Sequence, residues 1–181
     1  MIDNIEFYNS PDGTICVKPD GKPMYILDES HRPIIQEILA SIRELYPDAF
    51  KALSELYSRS ESNPSFFEYR IASRFIRCNF GEYDALSKDV DSMGTMHLED
   101  VRCPLRGECL MEGRICRPVL QTSLSNREKE VARLYAKGYD RMRIANELNI
   151  SFYTVIRHLS NIKARLRLKH ANQIISLFSQ E

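Results

Sequence analysis

The chain has 181 residues, 43% of them hydrophobic, and its 25 Lys and Arg balance 25 Asp and Glu. That is the make-up of a globular protein with room for one large or two small domains. No stretch approaches the roughly 20 apolar residues that span a bilayer, and Met1–Asn4 lacks the basic and apolar regions of a signal peptide, so a cytoplasmic protein without membrane partners is expected. The neutral total hides an asymmetry: residues 122–181 hold eleven Lys or Arg against five Asp or Glu, leaving fourteen against twenty for residues 1–121. Only the basic end suits a polyanion such as nucleic acid.

From the N-terminus, two turn signals, Ser10-Pro-Asp-Gly13 and Pro19-Asp-Gly21, separate the apolar runs Ile5–Tyr8, Thr14–Val17 and Met24–Leu27. This predicts a small antiparallel meander, with Cys16 in its core. From Ser30 the period becomes helical. Ile34, Ile35, Ile38, Leu39, Ile42 and Leu45 mark one helix, Pro47 opens a second with Phe50, Leu53, Leu56 and Tyr57, and Pro64 opens a third with Phe67, Ile71, Phe75 and Cys78. On that third helix Phe66, Phe67 and Tyr69 read as core or a dimer contact, and Arg70, Arg74 and Arg77 as a solvated or acid-paired face. The strand–helix alternation of a phosphoreceiver domain is absent, as are a P-loop and a Gly-rich dinucleotide motif. With no nucleophile, base and orienting group close in sequence, an enzyme is not expected.

Cys103, Cys109 and Cys116 fall within fourteen residues of a Pro- and Gly-punctuated loop. With Cys78 upstream, four soft thiolates are available to complete a tetrahedral zinc site or an iron-sulfur cluster. Their spacings, with twenty-four, five and six residues between, are not those of paired C-x-x-C knuckles. Three readings stay open: small buried hydrophobes, structural zinc, or an iron-sulfur or redox-sensing site. His97 is a substitute ligand should Cys78 point elsewhere. The run Cys103-Pro-Leu-Arg-x-x-Cys109-Leu is similar to a short segment of the WhiB-like iron-sulfur regulators, but Asp100 stands where that pattern needs a further cysteine.

After Pro118–Ser123 the sequence changes character. Ser125 and Glu128 form an S-x-x-E capping box at the head of a helix from about Asn126 to Lys137, with Val131, Leu134 and Tyr135 on one face and Gly138 as its stop. Asp140 caps a second helix carrying Ile144, Ala145 and Leu148, which Asn149-Ile150 ends. Ser151 caps a third, reaching Arg165, on which Val155, Leu159, Ile162 and Leu166 face inward. Tyr153, Arg157, Asn161 and Arg165 lie on its outer side, flanked by Thr154 and His158. A short fourth helix is predicted over Asn172–Phe178. Two helices joined by a tight turn, the second capped and polar on its outer face, have the geometry of helix-turn-helix recognition in the major groove.

Leu124, Ser125, Arg127, Glu128, Glu130, Val131, Leu134, Gly138, Ile144, Ala145, Leu148, Ile150, Ser151, Thr154, Val155, His158, Asn161, Ile162 and Leu166 occur in the order and spacing of one family. On them, residues 124–178 resemble the LuxR-type (GerE) four-helix DNA-binding domain, without gaps. The match covers just under a third of the chain. Tyr153 and Ile156 replace positions that are often basic or polar in that family, and Arg167 replaces a frequent glycine, so a base preference does not carry over. The sigma-factor C-terminal region shares the capped helices and Thr-Val pair, but residues 1–120 lack the long helical segment expected before it.

The expected fold is therefore mainly α. A regulatory or sensor domain with the cysteine cluster occupies residues 1–120 as a meander plus helices, and a LuxR-type helix-turn-helix domain occupies residues 121–181. The resemblance implies a transcription regulator that binds double-stranded DNA as a homodimer and has RNA polymerase as a further partner. Helix 172–178 or the N-terminal domain would supply the dimer interface. Tyr153, Thr154, Arg157, His158 and Asn161 are the expected base or backbone contacts, and Lys163, Arg165 and Arg167 the expected phosphate contacts. Cys78, Cys103, Cys109 and Cys116 are the expected ligands of zinc or an iron-sulfur cluster. The competing expectation is a protein-interaction adaptor that uses the helix-turn-helix surface and carries structural zinc.

Overall fold

The computed structural model describes residues 2–81, 88–92, 94–121, 124–166 and 168–179; Arg167 lies outside the described residues. The chain divides into two compact units, Met1–Gln121 and Thr122–Glu181.

The first unit opens with strands β1 (Ile5–Asn9), β2 (Ile15–Pro19) and β3 (Tyr25–Ile26), paired antiparallel in the order β1-β2-β3. Phe7 faces Val17 in register, and both are fully buried. The first turn holds its shape because the Asp12 carboxylate accepts from the Thr14 amide at 2.9 Å and Gly13 takes a left-handed φ of 87°. That bond and a second from the Thr14 hydroxyl keep the exposed Asp12 carboxyl below its ordinary range. Cys16 sits on the opposite side of β2 from buried Ile15 and Val17 and is only half-buried, which corrects its expected place in the core. The pleat alternates, so one residue between two core positions must point outward.

Helices α1 (Arg32–Leu45), α2 (Pro47–Leu56) and α3 (Pro64–Asn79) follow, each with proline in its first turn. There its missing N–H costs no hydrogen bond. Asn63 caps α3 by accepting from the Phe66 amide. Ile34, Ile35, Ile38, Leu39 and Ile42 give α1 a fully apolar inner stripe against Leu53, Ile71, Phe75 and Ile76. Burying each such side chain contributes about 1.5–3 kcal/mol, so this stripe organises the unit. Isolated bridges tie Val90 to Ile5 and to Met96, drawing the segment after α3 onto the edge of β1.

The second unit contains α4 (Asn126–Ala136), α5 (Arg141–Glu147), α6 (Phe152–Arg165) and α7 (Asn172–Phe178). Val131, Ile144, Val155, Ile162 and Ile174 are fully buried and form its centre. No helix among the described residues is long and apolar enough to cross a membrane.

Candidate nucleic-acid interface and cysteine cleft

Helix α6 is placed by its caps and by the turn before it. Asp140 starts α5 by accepting from the Arg143 amide at 2.8 Å. The helix ends in a Schellman arrangement: Asn149 takes φ 51°, and the Ile150 amide donates back to the Ala145 carbonyl at 2.9 Å. Asn is one of the few residues other than Gly that tolerates this conformation. Ser151 then caps α6, its hydroxyl accepting from the Thr154 amide at 3.0 Å and pairing with the Thr154 hydroxyl at 2.8 Å. Four residues thus separate α5 from α6, which fixes the angle at which α6 leaves the turn.

Val155, Leu159, Ile162 and Leu166 are buried, as their spacing predicts, so the opposite face is committed to solvent. Tyr153, Arg157 and Asn161 are exposed on it, Tyr153 at 80%. Ile156, 38% exposed, together with Ser160 and Ala164, completes that face. The small side chains at 160 and 164 were missed in the sequence, although a helical wheel places both beside Arg157. Thr154, His158 and Lys163 are half-buried at its margins. The His158 Nδ1 atom is enclosed without a hydrogen-bond partner.

Arg165 has a second role. Its guanidinium lies 3.1 Å from the carboxylate of Glu128, whose side chain is only 3% exposed. Glu128 also closes the capping box, accepting from the Ser125 amide at 2.8 Å while its own amide donates to the Ser125 hydroxyl. Burial pushes the Glu128 carboxyl up, but the Ser125 hydrogen bonds, Arg165 and His158 outweigh it and hold the group below its ordinary value. Arg127 fastens the same helix end by donating to the Leu148 carbonyl at the end of α5. Much of the Ser-x-Arg-Glu signature therefore builds the bundle. Helix α7 buries Ile174, Leu177 and Phe178 within the unit, leaving Ile175 as its exposed apolar residue.

In the first unit the four predicted cysteines line one cleft of about 520 Å³. Asn79 brings the ends of this site together. Its buried amide donates to the Phe75 and Ile115 carbonyls, at 3.0 and 2.9 Å, and its oxygen accepts from the Arg117 amide at 3.1 Å. Those bonds bracket Cys116 in sequence and sit one residue from Cys78. The intervening loop is closed by the Gly107 amide donating to Glu112 at 2.6 Å, with Gly107 at φ 87°. Asp100 accepts from both Arg106 and Arg117 and so ties the first part of the loop to its last. Those two arginines hold the Asp100 carboxyl below its ordinary range.

His97 is hydrogen-bonded to Asp91 at 3.1 Å and does not line the cleft. Arg70 stacks over Tyr57 at 4.1 Å and donates to Ser60. Arg74 lines the cleft with its Nε buried and unpartnered, which corrects its expected place on a solvated or acid-paired face. Burial lowers the Arg74 guanidinium, but the sulfurs of Cys78, Cys109 and Cys103, with Tyr57, raise it overall. Cys78 is pushed up by burial, opposed by Arg74 and reinforced by the other three thiols.

A four-helix unit whose second and third helices join by a four-residue turn, with the third capped and solvent-facing, is a helix-turn-helix domain. Residues 122–178 match the family described as bacterial regulatory proteins, luxR family, and form a LuxR-type domain. The chain is similar to the response regulator protein VraR of Staphylococcus aureus, in strains Mu3 and NCTC 8325 among others. In each it is 33% identical over 108 residues, covering 51% of this chain and 52% of the relative. The chain thus spans about half the length of the curated relatives it matches. No solved structure matches it.

Proposed function

We propose that the protein is a sequence-specific DNA-binding transcription regulator whose α6 enters the major groove, and that its cysteine cleft controls it through a bound metal or cluster. The observation carrying the first part is the outward face of α6, held by Ser151 and the Asn149 turn in a LuxR-type unit. On this reading Tyr153, Arg157 and Asn161 reach base edges or adjacent phosphates, while Thr154 and His158 anchor the backbone. Lys163 and Arg165 neutralise phosphate, Arg165 from the half-exposed outer part of a side chain that also pairs with Glu128. Arg167 belongs to the same proposed set. A homodimer would read two half-sites, with α7 or the first unit as the contact, and RNA polymerase in the cytoplasm would be the downstream partner.

The adaptor reading draws on one observation, the apolar and aromatic pair Ile156 and Tyr153 exposed on the same face. Selection of duplexes from random DNA, followed by mobility shifts with the full chain, separates the two. Enrichment of one motif, bound with a steep salt dependence, supports the regulator. Binding that is weak and indifferent to sequence would favour the adaptor.

A further inference from the structure

The cysteine cleft has a size and a lining that discriminate between the groups four thiolates could bind. A tetrathiolate zinc site is closed: with Zn–S bonds of about 2.3 Å, four sulfurs nearly touch around the ion and leave no void. Here the four cysteines are among the residues lining a cleft of about 520 Å³, far more room than a single ion takes. Among the described residues, no three His, Cys, Asp or Glu side chains are close enough to hold a single ion. The frame around the cleft is braced by the buried Asn79 amide, which donates to the Phe75 and Ile115 carbonyls, and at the surface by Asp100, which accepts from Arg106. A polynuclear group spans more of such a cleft than one ion does.

Its surroundings are cationic. Arg74, Arg77, Arg102 and Arg106 line the cleft against one carboxylate, Glu112, a balance suited to a group whose four thiolates outweigh the charge of its metal core. Arg74 adds a directional requirement. A buried N–H without a partner is rare and costs about 1–3 kcal/mol, and its Nε is such a donor.

We propose that Cys78, Cys103, Cys109 and Cys116 ligate an iron-sulfur cluster of the four-iron, four-sulfide class, and that Arg74 Nε–H donates to a cluster or cysteinyl sulfur. This rests on the reading of the cleft as a metal or cluster site and specifies its occupant. Each thiol gives up its proton on ligation. Hydrogen bonds to the sulfurs are among the factors that set a cluster's potential, so Arg74 is a positioning and tuning residue.

The test is iron, acid-labile sulfide and zinc analysis, with visible absorption, on the full chain purified without oxygen from iron-replete cells. The expected result is about four iron and four sulfide per chain, brown colour, and loss of both in Cys109→Ser with helical content unchanged. Bound zinc without sulfide would overturn the cluster and leave metal control standing; metal-free protein would overturn both. Arg74→Gln should retain the cluster at a lower reduction potential, with Arg74→Lys partly restoring it, whereas an unchanged potential would overturn the Arg74 assignment. Mobility shifts on the same samples separate occupancy from control: equal DNA binding with and without the cluster would remove control while the cluster stands.

Discussion

The LuxR-type unit and the cysteine cleft place their candidate functional residues by different physics. In the C-terminal unit, Ser125, Asp140 and Ser151 each cap the helix they begin, and Asn149 turns the chain within four residues. In the cleft, Cys78 and Cys116 line one space, and Asn79, next to Cys78, reaches 36 residues along the chain to Ile115, next to Cys116. Local rules build the first site, whereas the second depends on hydrogen bonds between distant segments. A substitution should therefore disturb the two in different ways.

The largest effect is expected from Ile162→Ala. Ile162 is fully buried in the centre of the C-terminal unit, and removing such a side chain costs about 2–5 kcal/mol. Urea unfolding should show the loss in that unit, with the stability of the first unit and its retention of the proposed cluster unchanged. A coupled loss of stability in the first unit would show that the two sites are not independent.

Asn79→Ala should come next. It strands the Ile115 carbonyl and the Arg117 amide, each at about 1–3 kcal/mol where buried. The expected outcome is lower stability of the first unit together with lower retention of the proposed cluster, checked by unfolding and metal analysis. A drop in stability with full retention of the proposed cluster would show that the cleft assembles without Asn79.

A smaller effect is expected from acid. Glu128 has its folded carboxyl held below the ordinary value of 4.5. Its contribution is therefore complete above about pH 4.5 and is lost as pH falls through the depressed folded value. Wild type should lose stability over that window faster than Glu128→Gln, which lacks the titrating group. Parallel pH profiles would mean that Arg165 and the Ser125 cap do not favour the ionised form.

Smallest is Lys163→Gln, at the margin of the outer face. The slope of log affinity against log salt should shrink by about one, with sequence preference unchanged. An altered preference would move Lys163 from phosphate to bases.

The same contrast explains what was legible in the sequence. The meander, the proline-led helices and all four C-terminal helices were readable because periodicity and caps act within a few residues. The division of α6 into inner and outer faces followed from Val155, Leu159 and Ile162 alone. The pairing of Arg165 with Glu128 was not visible, because it joins residues 37 apart across packed helices. Nor was the position of Arg74, which spacing placed on a charged face but which α3 turns towards the thiols. Cys16 was misplaced because an apolar run does not reveal which side of the pleat faces the core.

The outer face of α6 is tested by a competition titration of the full chain between its selected duplex and a scrambled one, for wild type, Arg157→Ala and Asn161→Ala. The prediction is a loss of about 1–3 kcal/mol in discrimination for at least one variant, with the fold intact by circular dichroism. Unchanged affinity and discrimination in both variants would contradict the placement of the outer face of α6 on DNA.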